Sequence, residues 1–144
     1  MADMTGNPDT PTRNEHAGLV DAIARGLERT GWLVHVEPRV GGYVPDLLAE
    51  TPGGSTFIVE VKAHEDTVHF AGLGQAAAYR RGFSEQVGSR PTAVVVSTGE
   101  ASDELQHLAD ELAVELMTVP NRNVGEAASD VVAQLNGMVS PQAT

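Results

Sequence analysis

Pro45-Asp46-Leu47-Leu48-Ala49-Glu50-Thr51-Pro52-Gly53-Gly54-Ser55-Thr56-Phe57-Ile58-Val59-Glu60-Val61-Lys62 is the stretch on which the reading of this chain turns. Two runs rich in β-formers, Val44 to Glu50 and Thr56 to Ala63, flank the turn formers of 51–55 and read as a β-hairpin. If 51–55 is the loop, Glu50 faces Thr56, and the same register sets Asp46 opposite Glu60. Directly opposed residues hold their Cβ atoms roughly 4.5–5.5 Å apart and project from one face. Lys62, two residues past Glu60, shares that face, while Val59 and Val61 point the other way, into a core. Two opposed carboxylates repel unless a cation lies between them, and oxygen ligands suit Mg²⁺ or Mn²⁺ rather than Zn²⁺. The competing reading is a surface ion cluster in which Lys62 balances Asp46 or Glu60. Lys62 is the one lysine in a chain with eight arginines. Its compact ammonium can approach a water nucleophile or phosphate oxygen where a guanidinium fork does not fit.

Outward from the hairpin, hydrophobic spacing predicts the remaining elements. Asn14 to Arg29 reads as an amphipathic helix carrying Leu19, Val20, Ile23 and Leu27 on one face, ended by Thr30-Gly31. Trp32 to Glu37 is a short strand closed by Pro38, and Gly41-Gly42 is a turn. Phe70 to Phe83 is Ala-rich and helical despite Gly72 and Gly74. Thr92 to Ser97, apolar from Ala93 to Val96, is a buried strand. Ser102 to Ala113 is a helix with Ser102 as cap, Glu115 to Val119 a strand, and Val124 to Met138 a last helix. The order αβββαβαβα predicts an α/β fold, with a half-exposed hairpin and a buried later strand in a mixed sheet flanked by helices. One domain is expected over 12–138, between tails at 1–11 and 139–144.

Composition sets the limits. A chain of 144 residues with 41 % hydrophobic content can bury one real core. No apolar run is long enough to span a membrane, and the polar start has no signal-peptide pattern, so a cytoplasmic location is expected. The absence of cysteine excludes disulfides and thiolate metal sites. The net charge of −11 argues against nucleic-acid binding by the average field, because phosphate contacts need Lys and Arg. Scarce lysine with abundant Ala, Val, Asp and Glu fits a high-GC genome or a salt-loving host equally.

Pro45-Asp46, followed by Glu60-Val61-Lys62, resembles the PD-(D/E)XK nuclease superfamily. Gly41-Gly42-Tyr43-Val44-Pro45-Asp46-Leu47-Leu48-Ala49 resembles the glycine-then-PDhhA stretch common in it. The element order matches its restriction-endonuclease-like αβββαβ core, over roughly Glu15 to Val119. The resemblance implies Mg²⁺-dependent (or Mn²⁺-dependent) hydrolysis of DNA phosphodiester bonds, leaving 5′-phosphate and 3′-hydroxyl ends, in repair, recombination or restriction. It implies Asp46, Glu60 and the Val61 carbonyl as metal ligands and Lys62 as the residue that positions the nucleophile and neutralises charge. Resolvase-like homodimer, RecB-like and restriction-like branches stay open, as does membership of a larger DNA-processing complex. The alternatives are a non-catalytic nuclease-fold subunit and an acidic protein-interaction domain.

Further candidates attach to this reading. Resolvase-like members carry an additional acidic residue in the first helix, where Glu15 stands as a possible catalytic residue and metal ligand. Thr12-Arg13-Asn14-Glu15 also reads as a capping box, with Glu15 serving its own helix. Gln75 and Tyr79 are i, i+4 neighbours and resemble the Gln-x-x-x-Tyr motif of the RecB-like branch, as substrate-binding or orienting residues. A histidine often precedes the Asp in the first helix of that branch; His16 lies nearby, and the motif does not select it. Arg39, Arg80, Arg81 and Arg90 are the expected DNA-contacting cations, near the Lys62 face. His64 and His69 are a weaker candidate metal pair, without a third ligand.

Overall fold

Thr30-Gly31 ends the first helix in a Schellman turn. Trp32 N–H donates to the Leu27 carbonyl and Gly31 N–H to the Glu28 carbonyl, with Gly31 at φ +95° in the left-handed region that favours glycine. The computed structural model describes residues 10–39, 42–62, 70–119 and 123–139. His64 and His69 lie outside them. The elements are α1 (Thr10–Arg29), β1 (Leu33–Val36), β2 (Leu47–Glu50), β3 (Thr56–Lys62), α2 (Phe70–Val87), β4 (Thr92–Ser97), α3 (Asp103–Leu112), β5 (Val114–Thr118) and α4 (Val124–Met138). Helix α1 starts before the expected Asn14, so Thr12 is helical and cannot cap it as the box required. Ser102 does cap α3, its side chain accepting from Leu105 N–H.

The five strands form one mixed sheet in chain order, β1 to β5. β1, β2 and β3 are antiparallel neighbours, and β3, β4 and β5 run parallel. The hairpin has the expected register: Glu50 pairs with Thr56 and Leu47 with Val59. The α/β fold, with helices on both sides of a mixed sheet, is therefore present.

The sheet's two faces are covered differently. Leu19, Ile23 and Leu27 of α1 and Val131 and Leu135 of α4 pack with Leu47, Val59, Val61, Val94 and Val96. On the other face, Leu73 and Ala76 of α2 and Leu105 and Ala109 of α3 cover Ala93 and Val95, while Phe83 of α2 covers Ile58. The expectation of a half-exposed hairpin is corrected here. β3 is buried on both sides between Phe57 and Val61, because α2 roofs the face that carries Ile58 and Glu60. Exposure is greatest on the outer strand, where Leu33 is 58 % exposed. Among the described residues, no helix is long and apolar enough to cross a membrane.

Candidate active site

Parallel β3, β4 and β5 bring Lys62, Ser97 and Thr118 to one edge of the sheet. The hairpin brings Asp46 to the same edge. The expected strand from Val44 begins only at Leu47, and Asp46 lies in a bend just before it. Pro45 offers no N–H to continue the ladder, and the Asp46 side chain takes its place. Val61 N–H donates to Asp46 Oδ2 at 2.7 Å. Asp46 N–H in turn donates to Glu60 Oε2 at 2.9 Å. Asp46 and Glu60 are thus joined by reciprocal side-chain-to-backbone bonds rather than as a ladder pair. In an extended strand a residue's N–H and C=O point to the same side, so the Val61 carbonyl also faces the Asp46 end.

Glu60 is only 4 % exposed, so it is no member of a solvated surface cluster. Burial, and then the neighbouring Asp46 carboxylate, push its pKa up to about 7, against the opposing pull of the Asp46 N–H and of Lys62. Among the described residues, nothing donates to Glu60 Oε1 or Asp46 Oδ1. A buried acid with a spare oxygen beside a second carboxylate is the environment a divalent cation relieves, and the donor set is all oxygen. The described residues hold no group of three or more His, Cys, Asp or Glu side chains fit for a metal, so the candidate set is two carboxylates and one main-chain oxygen. Glu15 lies in α1, and its side chain is outside what the structure describes.

The lysine is held from α2. Lys62 Nζ donates to Gln75 Oε1 at 3.0 Å, and Gln75 Nε2 donates to Tyr79 Oη at 2.9 Å. The predicted i, i+4 pair is therefore in line with the ammonium. Gly72 explains how: a Cβ there would stand 3.3 Å from Lys62 Cε, so the glycine leaves room for the lysine stem. Burial and the nearby Glu60 charge raise the Tyr79 pKa.

Sequence reasoning left His16 unselected and did not consider Tyr43 or Gly82 for the site. His16 Nε2 lies 3.3 Å from Asp46 Oδ2, because α1 runs under the hairpin and its first turns reach the Asp46 edge. Gly82 carried no usable signal, because the helix expected over Phe70 to Phe83 put it at the C-terminal end, where glycine is ordinary. The Tyr43 ring approaches it so closely that a Cβ on Gly82 would meet the ring at 2.7 Å.

The arginine expectation is corrected. Helices α2 and α3 each start at the Lys62 edge and end at the opposite one, since each links the end of one parallel strand to the start of the next. Arg80 donates to the Leu112 and Ala113 carbonyls at 2.6 Å, at the far end of α3, where Ala113 adopts a left-handed conformation without being glycine. Burial and the neighbouring Arg90 charge lower the Arg80 pKa, so both belong to that far edge. Arg81 pairs with Glu85 of its own helix at 3.2 Å. Arg39, in the β1–β2 connection, is the one of the four at the Lys62 edge.

Three solved structures are similar to this chain. A complex of EndoMS with double-stranded DNA matches with a TM-score of 0.63 at 16 % identity, over 85 % of this chain and 50 % of that one. A repair endonuclease from Pyrococcus abyssi matches with a TM-score of 0.59 at 15 % identity, over 85 % and 50 %. A crystallised protein of unknown function matches with a TM-score of 0.57 at 17 % identity, over 81 % and 67 %. No family model matches the sequence, and no curated protein is significantly similar to it. The fold is restriction-endonuclease-like, as in the repair endonuclease it is similar to. The chain spans half the length of the two endonuclease chains.

Proposed function

We propose that this chain is a metal-dependent nuclease that hydrolyses DNA phosphodiester bonds. The observation that carries this reading is the buried Glu60 carboxylate, tied to Asp46, with a lysine held in place beside it. Asp46, Glu60 and the Val61 carbonyl would hold Mg²⁺ or Mn²⁺, and Glu15 is on the helix that could add a ligand. Such an ion supplies a bound water of lowered pKa and stabilises charge on phosphate. The chain's own residues do the rest. The Lys62 ammonium, oriented by Gln75, meets the phosphate and the developing negative charge. Tyr79 holds the Gln75 amide so that its oxygen faces the lysine. His16 steadies Asp46 through Oδ2, the same oxygen that accepts from Val61 N–H. Burial under α2 keeps bulk water from Glu60.

DNA is the proposed substrate, with Arg39 on its side. With Arg80, Arg81 and Arg90 directed elsewhere, a chain at −11 takes its remaining phosphate contacts from a second copy or another subunit. Linear, nicked, branched and single-stranded DNA, each with Mg²⁺ and Mn²⁺, test the reading. Asp46→Asn, Glu60→Gln and Lys62→Ala should each reduce cleavage by about 10³-fold, the loss of roughly 4 kcal/mol of transition-state stabilisation. Metal and DNA binding without cleavage by the parent chain would identify a non-catalytic subunit. A parent chain that binds no divalent metal removes the reading.

A further inference from the structure

We infer that Tyr43 and Gly82 form a clamp that fixes the position of Asp46, which makes Tyr43 a positioning residue for that carboxylate. The geometry stands by itself; its consequence for metal rests on the nuclease reading. Asp46 lies just before β2, where its carbonyl accepts from Glu37 N–H at 2.9 Å, and Tyr43 sits in an isolated backbone bridge; Val44 and Pro45 between them lie outside any strand. Val44 is 43 % exposed and Pro45 lacks a donor. The Tyr43 side chain, itself 38 % exposed, adds an anchor to these backbone ties. Its ring lies over Gly82 so closely that an added Cβ would stand 2.7 Å from Cε2 and 2.9 Å from Cδ2. The ring also packs on Tyr79, with centroids 5.2 Å apart and planes tilted by 57°, a favourable aromatic geometry.

The other side of the clamp is firm. Helix α2 is bound to the sheet by the buried Leu73, Ala76 and Phe83, and Tyr79 is tied through Gln75 to Lys62. Gly82 leaves the space the Tyr43 ring fills, where any larger residue would clash. Gly74, on the same helix, has nothing within 4 Å of an added Cβ and so serves as the control. Tyr43 thus links the segment bearing Asp46 to the helix that orients Lys62, and sets the two halves of the site against each other.

The readout is hydrogen exchange, followed by NMR, at the Asp46 and Val61 amides, whose bonds to Glu60 and Asp46 report directly on the position of Asp46. Tyr43→Ala and Gly82→Ala should each lower protection at both amides by about tenfold. The Thr51 amide, bonded within the hairpin turn, should keep its protection, and Gly74→Ala should behave as the parent does. Tyr43→Phe, which keeps the ring, should retain protection at Asp46 and Val61. Calorimetric titration should show Mn²⁺ affinity about 10-fold weaker in Tyr43→Ala and retained in Tyr43→Phe, the size expected for loss of a supporting residue. Unchanged protection in Tyr43→Ala overturns the clamp, and so does an equal loss in Gly74→Ala. A raised KM for DNA with unchanged protection and metal affinity would make Tyr43 a substrate contact instead, and also overturns it. Lost protection with unaltered Mn²⁺ affinity overturns the positioning role. Lost protection in a protein whose parent binds no metal upholds the clamp and removes the nuclease reading.

Discussion

The two faces of β3 are built to different ends. Val59 and Val61 point into an aliphatic cluster filled by large side chains from α1 and α4. Ile58, Glu60 and Lys62 point toward α2, which meets them with Phe83, Gly72 and a hydrogen-bonded Gln75–Tyr79 pair and leaves room at Gly82 for Tyr43. On the first face the contacts are mainly apolar and close-packed, with the Trp32 indole N–H donating to Asn136 Oδ1 at 2.9 Å, and they hold the sheet. On the second, small residues make room for the stem of a lysine and the ring of a tyrosine, and a buried carboxylate keeps one oxygen without a described partner. One strand thus carries the fold on one side and the chemistry on the other.

The largest expected effect on stability lies on the aliphatic face. Leu27 is fully buried there, and Leu27→Ala should cost about 2–5 kcal/mol in a urea titration. A loss below about 1 kcal/mol would mean that the α1–α4 face is not the one that holds the molecule together.

The other face should show the opposite sign. The Glu60 pKa is raised to about 7 from 4.5, so between those values the folded state keeps a proton that the unfolded chain has lost. Without metal, stability should therefore fall as pH rises from about 4.5 to about 7, and stay reduced above that. Glu60→Gln should remove this slope and stabilise the metal-free protein at pH 8 by at most about 3 kcal/mol, with no gain at pH 4. Thermal melts across this range decide the matter. A variant less stable than its parent at pH 8 would show that Glu60 is supported by its bonds rather than penalised by burial.

The smallest effect belongs to neither face. Arg80 serves the end of α3, and Arg80→Ala should cost about 1 kcal/mol, the worth of a partly exposed charged hydrogen bond. It should leave the salt dependence of DNA binding unaltered. A shallower slope of log affinity against log salt in the variant would return Arg80 to the substrate surface.

Local pattern made most of the fold legible. Alternation and apolar runs placed all nine elements, and the five-residue loop set the hairpin register, because side-chain period and turn chemistry are properties of short segments. Val59, Val61 and the Ala93–Val96 strand were readable as core for the same reason. The Asp46, Glu60 and Lys62 grouping followed from that register and from the motif they resemble, and Gln75 and Tyr79 followed from helical spacing.

What the sequence determined by itself was therefore the order of elements, the hairpin, and which chemical groups share one sheet edge. Only the tertiary structure decided how those groups are held. It placed α2 over Glu60, which buries a carboxylate that hairpin alternation alone would leave half exposed. It brought His16 from α1 to Asp46 and Tyr43 onto Gly82, contacts between segments that no local period relates. It also sent Arg80 and Arg90 to the far edge, because a helix joining two parallel strands must travel the whole length of the sheet. A cluster of basic residues in sequence says nothing of which end of that path it occupies.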